Sequence, residues 1–118
     1  MIITLGWPDS RLSPNARLHW RAKMKPKRNA KDEAYFATMA THGFSATAAA
    51  LQANEDIIPV KMRFYPPDRR KRDDDNAISA MKAARDGIAQ ALGVNDARFR
   101  VQYEFCEPEK PGRVEIEL

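Results

Sequence analysis

The chain has 118 residues, of which 43% are hydrophobic and 31% charged, and its formal net charge is +4. This predicts one globular domain over residues 1–118, and the basic balance leans toward an anionic partner. A single cysteine, Cys106, excludes an internal disulfide and fits a reducing cytoplasm, where it reads as core packing. There is no signal peptide and no apolar run long enough to cross a bilayer, so a cytoplasmic protein with no membrane partner is expected.

Ile2 to Leu5 form a short β-branched run that Gly6 and Pro8 end, which predicts a first strand. Pro8, Pro14 and Pro26 argue against regular structure before Pro26. Within that stretch, eight cations lie between Arg11 and Lys31 (Arg11, Arg17, Arg21, Lys23, Lys25, Lys27, Arg28 and Lys31) without one acid. A solvated basic loop is one reading; a nucleic-acid patch using Arg17, Arg21 and Lys23 is the other, with Trp20, Met24 and Pro26 interleaved. Asn29 or Asp32 could cap a helix running through Ala34, Tyr35, Ala37, Thr38 and Met39. Gly43 interrupts it, and it resumes from Ala46 to Leu51.

Ile58, Val60, Met62 and Phe64 alternate with Pro59, Lys61, Arg63 and Tyr65, a period of two that predicts a strand with one buried face. Pro59 places it at an edge or marks its terminus. Pro66-Pro67 ends it. A second helix follows, with Ala77, Met81, Ala84, Ile88 and Ala91 as one apolar stripe and Gly93 as its stop. Phe99, Val101, Tyr103 and Phe105 then alternate with polar residues. After a turn at Pro108 and Pro111-Gly112, Val114, Ile116 and Leu118 alternate again. These last runs read as a β-hairpin with a loose connection. The order β-α-β-α-β-β predicts an α+β domain: a mixed or antiparallel sheet with two main helices on one face.

Chemistry concentrates where the middle strand hands over to the second helix. Arg69, Arg70, Lys71 and Arg72 run directly into Asp73, Asp74 and Asp75, followed by Asn76. Three adjacent carboxylates repel one another unless something offsets the charge. A hard divalent cation such as Mg²⁺ does so through oxygen ligands while keeping waters for chemistry. The neighbouring cations suit a phosphate backbone. In an extended approach Asp73 and Asp75 face one side and Asp74 the other. The competing structural role is an N-cap at Asp74 or Asp75. Lys82, seven residues after Asp75, falls on nearly the same helical face and could approach a phosphate, or it could pair with Asp86 one turn on. Asp96 lies past the far end of this helix. It joins Asp73 and Asp75 only if the chain folds back, and otherwise it is a turn residue. His19 and His42 have no metal-ligand spacing.

Arg72-Asp73-x-Asp75-Asn76, then an amphipathic helix, then Gly93-x-x-Asp96 together resemble the RusA family of Holliday-junction resolvases, small endodeoxyribonucleases of phages and prophages. Pro14-Asn15, Arg17-Leu18-His19-Trp20 and the approach from Pro67 to Arg70 look similar to that family too. The resemblance implies nicking of four-way DNA junctions by a homodimer, with Mg²⁺ as the cofactor and Mn²⁺ as a substitute. It carries the family's acidic triad onto Asp73, Asp75 and Asp96 as metal ligands, and its basic residue before the first aspartate onto Arg72. It also implies the fold-back of Asp96 that spacing alone does not give. One departure stands out: the lysine that best-known members carry four residues after the second aspartate is Ser79 here, and Lys82 is the candidate replacement. Arg69, Arg70, Lys71 and Arg72 would then position the DNA backbone. The expected function is therefore a junction-resolving, Mg²⁺-dependent endodeoxyribonuclease acting in DNA recombination and repair. The alternatives are a non-catalytic junction-binding module and a Mg²⁺-dependent nuclease for other branched DNA.

Overall fold

A computed structural model describes residues 1–14 and 16–118. Strand β1 (Ile2–Gly6) leads through a short 3-10 turn into α1 (Trp20–Ala40) and α2 (Phe44–Gln52). Then come β2 (Ile58–Tyr65), α3 (Asp74–Ala80), α4 (Lys82–Leu92), β3 (Phe99–Phe105) and β4 (Arg113–Glu117). The four strands form one sheet in the order β1-β4-β2-β3. β4 is antiparallel to both β1 and β2, whereas β3 runs parallel to β2, so the sheet is mixed and the fold is α+β.

The alternation seen in the sequence decides which sheet face is covered. Ile3 and Leu5 of β1, Ile58, Val60, Met62 and Phe64 of β2, and Val114 and Ile116 of β4 are all buried. They share one core with Ala34, Ala48, Met81, Ala84, Ile88 and Leu92 of the helices. The helix stripe therefore lies where its periodicity puts it. Gly87 on α4 adds a contact the stripe does not reveal. A Cβ there would lie 2.2 Å from the backbone oxygen of Lys31, so α1 and α4 cross with their backbones in direct approach.

Three expectations are corrected. The first helix begins at Trp20, not after Asn29, and Pro26 is buried inside it. The missing Pro26 N–H costs one helical hydrogen bond, but the ring is buried in the cleft between α1, the start of α4 and the residues after β1. The second helix is two: Met81, with ψ near 0°, separates α3 from α4. The final two strands are not a hairpin. Residues 106–112 pass over the end of β2, where the Cys106 N–H donates to the Phe64 carbonyl and the Glu109 N–H to the Pro66 carbonyl, both at 2.8 Å. Gly112, at φ +92°, then turns the chain against Pro67, where a Cβ would sit 3.0 Å away. The connection thus spans two strand positions, and β4 inserts between β1 and β2. Pro59 stands near the start of β2, beyond the reach of β4, whose pairing begins at Lys61. No described helix is long and apolar enough to cross a membrane.

Candidate metal and nucleic-acid site

The loop leaving β2 is organised by its own charges. The Asp68 carboxylate accepts from the Arg70 N–H at 3.0 Å and from the Arg72 guanidinium at 2.6 Å. Arg72 also donates to the carbonyls of Asp68 and Arg70, both at 3.0 Å, and lies 5.7 Å from the centre of the Trp7 ring. The Arg70 N–H, and then the Arg72 side chain, hold the Asp68 carboxyl below its ordinary pKa. Arg72 is therefore the clasp of the loop, with its donors directed inward. Arg69 pairs with Glu107 at 3.1 Å, both well exposed. Among the described residues, Arg70 and Lys71 make no ion pair and stand exposed beside the carboxylates.

Asp73 is the N-cap of α3, its carboxylate accepting from the Asp75 N–H at 2.9 Å. Asp74 and Asp75 occupy the first helical turn, where the helix dipole favours negative charge. All three are exposed. This corrects two expectations. The cap is Asp73, not Asp74 or Asp75, and the extended alternation that would aim Asp73 and Asp75 together is replaced by the start of the helix. Asp73 and Asn76 line a cleft of about 420 Å³ with Trp7, Ser13, Pro67 and Arg72.

Asp96 does not fold back to meet them. It opens a single 3-10 turn, Asp96–Arg98, whose preceding Asn95 accepts from the Ala97 N–H at 2.9 Å. The parallel register pairs Phe99 with Ile58, so Asp96 lies beside the start of β2. Asp73 lies past its end, where Gly6, Arg113 and Tyr65 stand in register. Eight residues of strand hold the two aspartates roughly 23 Å apart or more. The reason is topological: a helix joining two parallel strands must start at one end of them and finish at the other. Among the described residues no three carboxylate, histidine or cysteine side chains gather into a metal-holding cluster.

Lys82 and Ser79 face a different feature, a groove of about 880 Å³ between α1 and α4. Lys23, Lys27, Arg28 and Lys31 line it from α1. Lys82 makes no ion pair with Asp86, although both line the groove. Lys27, Arg28 and Lys31 are members of the cation run that the sequence does not single out. Their signal is the spacing of four from Lys23 to Lys27 to Lys31, one helical face, which the proline at position 26 conceals. Arg17 is exposed, Arg21 lies 5.3 Å from the centre of the Trp20 ring, and Asn15 falls outside the described residues. His19 has a structural part: its ring Nδ1 accepts from the Arg21 N–H at 3.2 Å and caps α1.

No family model matches the sequence. A protein of Xylella fastidiosa (strain Temecula1 / ATCC 700964), described as an uncharacterized protein, is 41% identical over 108 residues, covering 91% of this chain and 67% of the relative. The two belong to one family. At that identity and coverage the relative shares this fold, and its own length extends beyond the matched part.

Proposed function

We propose that the chain is a structure-selective endodeoxyribonuclease of the RusA type, which resolves four-way DNA junctions with Mg²⁺ and works as a homodimer. The observation that carries this reading is the exposed run Asp73, Asp74 and Asp75, set beside the unpaired cations Arg70 and Lys71 at one end of the sheet. Hard carboxylate oxygens next to free cations suit a hydrated Mg²⁺ shared with a phosphate, since Mg²⁺ needs only one or two protein carboxylates. The bound metal would supply a water of lowered pKa and neutralise charge on the phosphate. Asp73, which lines the cleft, would hold the ion, with Asp75 beside it in the first helical turn. Arg70 and Lys71 would fix the phosphate backbone, while Arg72 keeps their loop in shape through Asp68. Lys82 opens α4 directly after the Met81 break, where it is exposed and could serve the strand beyond the cut.

The distance to Asp96 adds a condition. A complete Asp73–Asp75–Asp96 set closes only if Asp96 of the partner subunit approaches Asp73 and Asp75, which two-fold symmetry permits twice per dimer. The test is cleavage of a labelled four-way junction, beside a matched linear duplex, with Mg²⁺ and with EDTA. Symmetric, metal-dependent nicks in the junction alone support the proposal.

One observation favours a second reading, a DNA-binding module without chemistry. Capping by Asp73 and dipole stabilisation of Asp74 and Asp75 account for all three carboxylates without a metal. Junction binding that ignores Mg²⁺ and leaves every strand intact would select it.

A further inference from the structure

We infer that the groove between α1 and α4 is a track for one unpaired DNA strand, which continues past the groove onto Trp20, at the start of α1, where a base stacks. This rests on the nucleic-acid part of the proposed function and adds the strand's path. Five cations line the groove (Lys23, Lys27, Arg28, Lys31 and Lys82) against two carboxylates, Asp32 and Asp86. Lys23 donates to the Ser13 carbonyl at 3.4 Å. Among the described residues, Lys27, Arg28, Lys31 and Lys82 make no ion pair, so their charge faces solvent. Lys27 and Lys31 are one turn apart, about 6 Å along α1, and repeat a positive charge along the groove.

The size of the cleft selects the occupant. About 880 Å³ is the scale of a small-ligand cleft and has room for a few nucleotides of one strand. A double helix would ride over the rim without entering. Trp20 offers a stacking partner for what a single strand presents and a duplex conceals, a free base face. It is 62% exposed, with Leu18 at 41% and Met24 at 49% beside it. Seven residues before Lys27 and eleven before Lys31, it shares their helical face at about 100° per residue. A cationic groove joined to an exposed aromatic is how proteins hold single strands without sequence preference. A branched junction offers such a strand where base pairs at the branch point open.

The experiment is a fluorescence titration in EDTA with a short oligothymidylate and with a duplex of equal length. The chain has two tryptophans, and Trp7 is half-buried edge-on to Phe64, so a stacked base quenches Trp20 selectively. The oligothymidylate is expected to quench emission and bind more tightly than the duplex. Trp20→Ala should weaken it about 5- to 150-fold, and Trp20→Phe should retain most of the affinity. Replacing both Lys27 and Lys31 by Gln should flatten the slope of log affinity against log salt by about 1.4. Absence of quenching, equal affinity for the duplex, or an unchanged salt slope would each overturn the inference. Junction nicking without oligothymidylate binding would remove the groove and leave the nuclease; the reverse result would remove the nuclease and leave the groove.

Discussion

The two ends of the β2–β3 pair use the same residue types for different purposes. At each end an Asp or Asn caps a helical turn, and an arginine stands nearby. At the Asp96 end, Arg98 donates to the carbonyls of Asp56 and Leu51 at 2.8 and 2.9 Å and to the Asn54 side chain at 3.2 Å. Its charge ties the end of α2 to the start of β3. At the Asp73 end, Arg72 takes the equivalent tying role through Asp68, which leaves the side chains of Arg70 and Lys71 outside the clasp. What separates the two ends is the availability of their cations, more than residue type. An aspartate whose neighbouring cations are committed to backbone carbonyls is part of a turn; one beside uncommitted cations could, as proposed, share a metal ion with a phosphate.

Removing one carboxylate from each end should separate the two roles most strongly. Asp75→Asn should lower junction nicking by more than the roughly 100-fold typical of losing an outer-shell partner, while junction binding stays or tightens. Asp96→Asn should do the same only if the two ends meet between subunits. Mixing the two inactive proteins then restores nicking, because mixed dimers carry one intact set. Full activity of Asp96→Asn alone would leave the Asp73 end sufficient by itself.

A smaller effect is expected where the helices touch. Gly87→Ala drives a methyl into the Lys31 carbonyl and should cost about 1–3 kcal/mol, read from denaturant unfolding. An unchanged midpoint would mean that α1 and α4 part freely. Smaller again is the cap. Asp73→Ala should cost about 1 kcal/mol, whereas Asp73→Asn keeps the cap and loses only the charge. Equal stability losses in the two variants would show that Asp73 acts through its charge.

The mildest change concerns Asp68. Its carboxyl titrates below its ordinary value, first through the Arg70 N–H and then through Arg72. A depressed folded value means a contribution present above the unfolded value of about 3.9 and lost as pH falls through the folded one. In Arg72→Gln, NMR titration should find Asp68 moved up toward the ordinary value but still below it, since the Arg70 N–H remains. No movement would remove Arg72 from the role of clasp.

Much of the fold is legible in the chain. The alternation of Ile58 to Phe64, the stripe from Ala77 to Ile88 and the break at Gly43 each report a local rule: a period, or a backbone angle that glycine takes at φ +86°. Position 26 misleads because a proline inside a helix is penalised locally, and only burial against the rest of the protein offsets it. The basic face of α1 is hidden by the same proline. Asp73 and Asp75 can be read as a pair because they are two residues apart, but their capping geometry depends on where α3 begins.

The sequence by itself determined the strands, the helical stripe, the cation–carboxylate junction and the α+β class, because each depends on residues within a few positions of one another. Only the tertiary structure decided that β4 inserts between β1 and β2, that Gly87 meets Lys31, and that Lys82 joins the cations of α1. It also decided that Asp96 stands at the opposite end from Asp73. That separation follows from parallel pairing of β2 with β3, a long-range choice set by which strand edges satisfy each other's hydrogen bonds, and no spacing along the chain encodes it.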